Sequence, residues 1–538
     1  MARNRILTIA ICMIAVHTQL WANGDRYMVF FTDKANTPFS IEKPREFLSE
    51  KAIDRRFRQK IAVTPQDIPV SRQYIDSLIA MDVKVFYTSK WLNGVLVEGD
   101  REIIEALEQK PYVKATEFVA PGPVGFARRG FIFKSLSINS QYETLPTDVQ
   151  NNMLGIEKMH KDGFRGEGMT IAVFDGGFQN VNSLPFFEHL YKDKRIKATF
   201  NFIANSDSVY QYDDHGTNVL SCLAGYDPNQ YIGTAYQANY ILCVTEDVFS
   251  EYRIEEYNWL FAAELADSAG VDVINSSLGY NTFDDKSMDY NYENVDGKTA
   301  IITRAASIAA SKGILVVSSV GNEGNNSWRF VVPPADADSI LSVGAVNEAL
   351  RITYFSSVGP TFDGRIKPDL VAMGENTKII SLNGNIKSGN GTSYASPIIA
   401  GLSVGIWQAY PELNNYEIIQ LLKKTASHAS NPNTEYGFGT PNYETLKILR
   451  SKERYQFIVY PNPLKENHFF IKSRGGLVPV KPEIEMFNMA GELVSRLVAT
   501  KSIIENRYEV SIPDIPSGVY ILAISADNGL NKVKLVKN

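Results

Sequence analysis

The sequence contains few cysteines, three among 538 residues. Cys12 lies in the apolar N-terminal stretch, which leaves Cys222 and Cys243 for the rest of the chain. Their spacing does not match a structural zinc site. Both stand between apolar neighbours, which favours buried free thiols, although an oxidising compartment would permit a disulfide between them.

Positively charged residues are also fewer than negatively charged ones. Lys and Arg number 54 against 60 Asp and Glu, a formal net charge of -6. Nucleic-acid binding needs a basic face, so this composition excludes nucleic acid as the expected partner. One basic run, Arg55-Arg56-Phe57-Arg58, lies in a helical-looking segment. We interpret it as a solvated helix face rather than a binding patch.

Long hydrophobic runs are missing as well. The apolar stretch 6–16 is preceded by two arginines and falls well short of the roughly 20 residues that span a bilayer. Small Ala22 precedes a plausible cleavage point at Asn23. This pattern predicts a signal peptide over residues 1–22, and hence a secreted or cell-surface protein. An uncleaved membrane anchor is the alternative.

The pattern of apolar and polar residues changes three times along the remaining chain. Residues 23–120 mix strand and helix patterns, which predicts a small α+β domain. A stretch rich in Pro and Gly over 121–145 reads as a linker. Over 146–450, short all-apolar strands alternate with helices, which is typical of an α/β domain with a parallel sheet. Strand-like pieces between turn residues over 455–538 predict a β-sandwich.

Two polar residues stand at informative places in the α/β segment. Asp175 ends its most apolar strand, and ligand sites in parallel sheets lie beyond the carboxyl ends of the strands. His215 lies just before an apolar helix. Its neighbours Asp213 and Asp214 are interpreted as loop or capping residues. A histidine there is ordinarily a satisfied polar residue, so neither position identifies a site by itself.

Two further positions complete a set with chemical meaning. Ser393 follows Gly391 and Thr392 at the predicted start of a helix over 394–410, where free amides and the helix dipole favour an anion. Pro397 is expected in or near the first turn. Asn322 follows another buried strand and offers a neutral amide donor. A hydroxyl, an imidazole, a carboxylate and an oxyanion donor are what serine acyl transfer requires.

These segments, in the order Asp, His, Ser, resemble the subtilisin-like family (subtilases) over about residues 146–445. The resemblance implies that Ser393 is the nucleophile, His215 the general base and then acid, and Asp175 the orienting carboxylate. Asn322 and the Ser393 amide would form the oxyanion hole. A further segment resembles the strand that pairs with substrate backbone, and its implied binding residues are Ser276, Ser277, Leu278 and Gly279.

The sequence departs from the family pattern at three points. Gly176 stands where the family usually has Ser or Thr, and Asn218 where it often has His. Ile398 and Ile399 follow Pro397 in place of His-Val. None of these departures removes a catalytic group.

The flanking segments resemble parts of exported subtilases. Residues 23–120 resemble a propeptide, which implies a processing site in 121–145. Residues 455–538 resemble the C-terminal sorting domain of type IX secretion substrates through motifs such as 459–463 and 516–522. The implied partners are polypeptide substrates, the chain's own propeptide and a Gram-negative secretion machinery.

Alternatives remain open at this level. A catalytically silent subtilase fold that serves as a surface binding protein is the main one. An esterase would carry Gly-x-Ser-x-Gly, whereas Ala395 occupies the last position here. No cofactor is expected to be required, although calcium is common in the family and Asp227 and Asn229 are its candidate ligands. Glu323 either attracts a basic substrate side chain or belongs to the turn around Asn322.

Overall fold

The structure is a computed structural model that describes residues 24–122, 145–454, 456–473, 482–502, 507–526 and 529–538. We refer to 24–122 as the N-terminal unit, 145–454 as the central unit and the described residues from 456 onward as the C-terminal unit. The predicted signal peptide lies outside the described residues, as does most of the predicted linker.

The N-terminal unit is the predicted α+β arrangement, with one antiparallel sheet in the order β2-β3-β1-β4. Its elements are β1 (Asp25–Phe31), α1 (Glu50–Gln59), α2 (Arg72–Ile79), β2 (Lys84–Ser89), β3 (Gly94–Gly99), α3 (Arg101–Leu107) and β4 (Val113–Ala120). The pattern over 44–58 predicts a single helix, but the structure has a short 3₁₀ helix at Pro44–Glu46 before α1. Helix α1 begins at Glu50, because the Ser49 hydroxyl accepts a hydrogen bond from the Ala52 amide and caps it there.

The central unit is built on a seven-stranded parallel sheet in the order β13-β12-β11-β10-β5-β9-β6. Its sheet strands are β5 (Thr170–Asp175), β6 (Ile196–Asn201), β9 (Asn239–Val244), β10 (Val273–Ser276), β11 (Leu315–Ser319), β12 (Leu341–Val346) and β13 (Leu370–Met373). Smaller hairpins use β7 (Tyr226–Asp227), β8 (Tyr231–Ile232), β14 (Thr377–Ile380) and β15 (Ile386–Gly389). The helices are α4 (Asp148–Asn152), α5 (Ile156–Lys161), α6 (Glu188–Lys192), α7 (His215–Ala224), α8 (Ile254–Ala269), α9 (Ile301–Ser311), α10 (Thr392–Ala409), α11 (Asn415–Lys424) and α12 (Tyr443–Arg454).

Helices cover both faces of this sheet, which explains its all-apolar strands. Within β5, Ile171 and Val173 pack into a core with α7 and α10. The alternate residues Ala172 and Phe174 pack into a second core with α8 and α9. Because successive side chains of a strand point to opposite faces, the middle residues of such a strand are apolar on both sides.

The N-terminal unit packs on the outer side of α8. Met28, Trp91, Leu96 and Val119 join the core that contains Tyr257 of that helix. The interpretation of the basic run in α1 as a solvated face is wrong for two of its arginines. Their guanidinium groups are buried against Asp267 at the end of α8, as the next subsections describe.

The C-terminal unit is the predicted β-sandwich, two four-stranded antiparallel sheets in the orders β16-β17-β21-β20 and β19-β18-β22-β23. Its strands are β16 (Phe457–Tyr460), β17 (His468–Ser473), β18 (Glu483–Phe487), β19 (Leu493–Leu497), β20 (Ala499–Lys501), β21 (Tyr508–Ser511), β22 (Gly518–Ala526) and β23 (Gly529–Lys537). Both sheets share one core, centred on side chains such as Phe469, Val510 and Leu522. The short strands β19 and β20 carry polar residues and were not predicted.

Two smaller expectations can be compared with the structure. Cys222 and Cys243 are buried free thiols, as their apolar surroundings predicted. Within the described ranges, no helix combines the length and the apolar character needed to cross a membrane.

Candidate active site

Asp175 and His215 meet at the carboxyl edge of the parallel sheet. Asp175 is the last residue of β5 and is fully buried, and His215 is the first residue of α7. The His215 Nδ1 lies 2.8 Å from the Asp175 Oδ1. Because a carboxylate only accepts, Nδ1 carries the proton and Nε2 is left as the basic nitrogen. The Asp213 carboxylate accepts the His215 amide at 2.9 Å, which is the capping role predicted for it.

The backbone approaches itself closely beneath the imidazole. A Cβ at Gly216 would lie 2.2 Å from the Gly177 carbonyl oxygen. A side chain there would push α7 away from the end of β5. The glycine beside the histidine therefore allows the close approach of the two elements that the 2.8 Å bond requires.

The pKa of His215 reflects opposing effects. Burial lowers it, but the charge of Asp175 and the hydrogen bond to that carboxylate raise it, and Glu246 and Asp213 add to the increase. The result is a pKa of about 9. Together, these effects favour the protonated imidazolium form of His215.

The other oxygen of Asp175 is less well satisfied. Oδ1 also accepts the Gly176 amide at 2.9 Å, whereas the buried Oδ2 has no hydrogen-bond partner among the described residues. The family usually has a hydroxyl at the position of Gly176. Glycine at this position offers no hydroxyl to that oxygen.

Ser393 lies in the first turn of α10 and is 8% exposed. Pro397 was expected in or near this turn; it lies one turn further, inside the helix. Proline has no N–H, so it cannot donate to the Ser393 carbonyl four residues earlier. The Ser277 hydroxyl donates to that carbonyl instead, at 2.9 Å, and the Ser393 hydroxyl donates to the Ser277 carbonyl at 3.4 Å. Because the helix bond is missing, the Ser393 carbonyl is free to accept from Ser277. This bond holds the serine next to the end of β10.

Asn322 faces the same turn. Its Oδ1 accepts the Thr392 amide at 2.9 Å and the Thr392 hydroxyl at 3.1 Å. These bonds orient the side chain and leave the amide nitrogen as a donor, and the residue is exposed. A Cβ on Gly391 would lie 3.7 Å from that nitrogen, an ordinary van der Waals distance, so Asn322 lies against the start of α10.

The histidine and the serine belong to packed neighbours. The His215 ring lies 6.1 Å from the ring of Tyr394, the residue after the serine. The structure therefore brings Asp175, His215, Ser393 and Asn322 to one edge of the sheet, from four separate stretches of sequence.

The predicted substrate-binding segment continues from β10 beside the serine. Ser276 is the last residue of the strand, Ser277 contacts Ser393, and Leu278 is 5% exposed. Gly279 lines a cavity of about 340 Å³ together with Glu251. A Cβ on Gly279 would lie 2.4 Å from a Val332 methyl, so this backbone position requires glycine.

Sequence reasoning missed a group of carboxylates beside the site. Glu246, Glu251 and Glu255 each offer an oxygen, and these oxygens all lie within 4.8 Å of one another. One signal was readable: Glu246 lies two residues beyond the apolar strand β9, at the same sheet edge as Asp175. The candidate calcium ligand Asp227 is engaged locally, since its carboxylate accepts the Asn229 amide at 2.8 Å and the Gln230 side chain at 3.1 Å.

Comparison with known proteins agrees with this architecture. The sequence model of the subtilase family matches residues 166–439, about half of the chain. The chain belongs to the subtilase family. The peptidase S8 propeptide domain of Bacteroidota matches residues 26–128, and the secretion system C-terminal sorting domain matches residues 458–538. This subtilase thus has the propeptide and the sorting domain that the sequence predicted.

Similar proteins include several proteases. Subtilisin NAT of Bacillus subtilis subsp. natto is 29% identical over 289 residues, covering 53% of this chain and 67% of that protein. The subtilisin of Bacillus pumilus is 29% identical over 289 residues, or 93% of its length. A subtilisin-like protease of Arabidopsis thaliana is 29% identical over 362 residues, so the match spans only 32% of that protein.

A solved structure agrees in fold. The epidermin leader peptide processing serine protease of Staphylococcus aureus has a TM-score of 0.54 and 16% identity, and covers 79% of this chain and 100% of its own. This likeness concerns the fold of the chain.

Proposed function

We propose that this subtilase is the precursor of a secreted serine endopeptidase with Asp175, His215 and Ser393 as its catalytic triad. The observation that carries the proposal is the 2.8 Å bond between the His215 Nδ1 and the buried Asp175 carboxylate, at the edge where the Ser393 helix begins. The Asn322 side chain contacts Thr392, the residue before Ser393, at the same edge.

In the proposed reaction, the His215 Nε2 takes the hydroxyl proton of Ser393 as the serine oxygen attacks the peptide carbonyl. The amide nitrogen of Asn322 and the backbone N–H of Ser393 donate to the oxygen that becomes negative. His215 then returns the proton to the leaving amine. A water molecule repeats the sequence and hydrolyses the acyl-enzyme. Asp175 holds the imidazole in the required tautomer.

Ser393→Ala tests the chemistry directly. It removes the nucleophile and leaves the Ser277 contact to the residue 393 carbonyl, so the fold should persist. Loss of the nucleophile costs about 10⁶ in turnover in subtilisin itself, and that magnitude is transferred here. The assay is hydrolysis of a fluorogenic peptide by purified mature protein. Undiminished turnover would overturn the assignment of Ser393 as nucleophile. No turnover in the wild type would favour the alternative, a silent surface binding protein.

We further propose that the precursor processes itself, with the cut inside residues 121–145. The N-terminal unit covers α8 of the catalytic unit, where the Tyr257 hydroxyl donates to Glu117 of β4 at 2.5 Å. Wild-type precursor should lose the N-terminal unit. Ser393→Ala precursor, made without other proteases, should retain it; equal maturation of this variant would mean that another enzyme makes the cut.

Export is proposed to use both ends of the chain. The signal peptide over 1–22 would direct transfer across the inner membrane. The C-terminal domain over 455–538 would engage a type IX machinery, as its sorting-domain match suggests. Its separate core supports a role outside catalysis.

A further inference from the structure

Three carboxylates form a compact group beside the proposed triad, which we name the acidic cluster. It consists of Glu246, Glu251 and Glu255, with oxygens from all three within 4.8 Å of one another. Glu255 is fully buried, and the other two are partly buried. Three like charges at this separation repel each other unless protons or a cation offset them.

Nearby cations do not offset this charge. In the part of the chain that the structure describes, none of the three carboxylates forms an ion pair. Arg253 lies between two of them in sequence, but its guanidinium contacts the Met288 carbonyl, Glu256 and Glu117. Lys286 lines the adjoining cavity, yet it donates to the Phe283 carbonyl at 2.7 Å.

The pKa values of the three carboxyl groups reflect the same excess of negative charge. Burial, followed by the charge of Asp175, raises the pKa of Glu246 to about 7, despite the nearby imidazole of His215. Burial and then Glu246 and Asp284 raise the pKa of Glu251 to about 8. Burial and the charges of Glu251 and Glu246 raise the pKa of Glu255 as well. A cation placed among them would be strongly favoured.

A buried hydroxyl adds an independent observation. Tyr280 is 1% exposed, and its hydroxyl has no hydrogen-bond partner among the described residues. After burial itself, the charges of Glu255, Glu246 and Glu251, and then that of Glu256, raise its pKa. Buried polar groups are normally satisfied, so an unpartnered hydroxyl on the residue that follows Gly279 of the cavity indicates that a ligand completes the site.

The acidic cluster adjoins the path that substrate would follow. On one side, the Glu246 Oε2 lies 3.6 Å from the Cβ position of Gly176, directly after Asp175. On the other side, Glu251 and Gly279 line the same cavity of about 340 Å³, and Gly279 lies two residues beyond the Ser277 that contacts Ser393. A side chain entering here belongs to a substrate residue close to the cleaved bond.

We propose that the acidic cluster is a specificity pocket that selects a lysine or arginine side chain of the polypeptide substrate, upstream of the scissile bond. This inference rests on the proposed peptidase function. A basic side chain brings one positive charge and N–H donors, which suit the cluster's carboxylate oxygens and the tyrosine oxygen. The cavity beside Glu251 provides room for its long aliphatic stem.

The chain itself contains a matching sequence. Residues 123–144 include the pair Arg128-Arg129, and the propeptide match ends at residue 128. A cut near this pair would release the propeptide at its family boundary. We therefore include the Arg128-Arg129 pair as the natural occupant of the pocket during maturation.

The test compares kcat/KM of mature protein on matched peptides. These carry arginine, lysine, norleucine or glutamate at each of the four positions before the cleaved bond. Wild type should prefer a basic residue over norleucine at one of these positions by about tenfold or more. The double variant Glu246→Gln/Glu251→Gln should reduce that ratio to near unity, while Glu293→Gln, an exposed carboxylate elsewhere, should keep it. Continued cleavage of the norleucine peptide shows that the double variant is folded.

The outcomes separate the two hypotheses. If mature protein cleaves none of the peptides, the proposed function fails. If it cleaves them without a basic preference, or if the preference survives in the double variant, the specificity pocket is wrong and the peptidase function stands. If Glu323→Gln alone removes the preference for a basic residue, the assignment of the acidic cluster as the specificity pocket is also wrong. If wild type binds calcium and the double variant does not, while both show the same peptide preference, the cluster is a metal site instead.

Processing of the precursor provides a second test of the specificity pocket, which does not depend on added peptides. The precursor variant Arg128→Gln/Arg129→Gln should be processed about tenfold more slowly than wild type, because the pocket loses its cationic occupant. Lys134→Gln removes one positive charge from the same segment and should process normally. Normal processing of the double arginine variant would overturn the assignment of this pair as occupant.

Discussion

The buried charges between α1 and α8 should determine how tightly the propeptide holds the catalytic unit. Asp267 of α8 lies 2.5 Å from Arg55, 2.9 Å from Arg56 and 3.2 Å from Lys90, all from the N-terminal unit. Each of these side chains is at most 9% exposed. The positive charges hold the pKa of Asp267 at about 2 despite its burial, so the carboxylate is ionised throughout the working pH range.

Asp267→Asn removes the negative charge and leaves its cations buried. Breaking a buried ion pair by removal of one partner costs about 3–5 kcal/mol. Arg56 keeps its pair with Asp67 at 3.0 Å, and Arg55 keeps the Val271 carbonyl, so the lower part of that range applies. At about 1.4 kcal/mol for each factor of ten, binding should weaken by about 10²- to 10³-fold.

The assay is inhibition of mature enzyme by added propeptide segment 24–122, measured with a small fluorogenic substrate. Asp267→Asn should raise the inhibition constant and leave uninhibited turnover unchanged, because its ion pairs are made with the propeptide. Glu50→Gln is the matched control: its pair with Arg45 is exposed, and such pairs contribute little. A change of less than about fivefold in Asp267→Asn would refute the argument, since desolvation would then cancel the whole attraction.

The remaining predictions concern the active site and the C-terminal domain. Asn322→Leu should lower kcat by about 10²- to 10³-fold with little change in KM, a magnitude taken from subtilisin itself, and a normal kcat would remove Asn322 from the oxyanion hole. The kcat/KM profile should fall as the pH drops through about 9, because His215 must be neutral to act as base and its pKa is raised. Glu246→Gln should move this limb toward neutral pH, and an unmoved limb would contradict the attribution of the shift to that carboxylate. Deletion of 455–538 should leave peptide hydrolysis intact and trap the protein in the periplasm; normal secretion of the truncated chain would refute the export role.

Much of the fold was predictable because its signals are local. The apolar run before Asp175 predicted a strand buried on both faces, and β5 is that strand. The change in sequence pattern after residue 450 predicted the β-sandwich. Strands β4, β19 and β20 were missed because polar residues interrupt their patterns, and their pairing partners supply the stabilisation that the local sequence lacks.

Some errors had a tertiary cause. The basic run of α1 carries the pattern of a solvated face, and Phe57 is indeed 83% exposed. Arg55 and Arg56 are buried because α8 presents Asp267 to them, more than two hundred residues along the chain. A helical charge pattern is the same whether water or a carboxylate faces it.

For the active site, the sequence by itself determined which groups are present and in what order. Asp175, His215 and Ser393 each lie in a motif whose glycines and helix start are local features. Tertiary structure alone decided that Pro397 frees a carbonyl for Ser277, and that Glu246, Glu251 and Glu255 converge beside Asp175. The physical reason is that a strand or helix start is specified by neighbours in sequence, whereas the charge around a side chain is the sum over every element that packs against it.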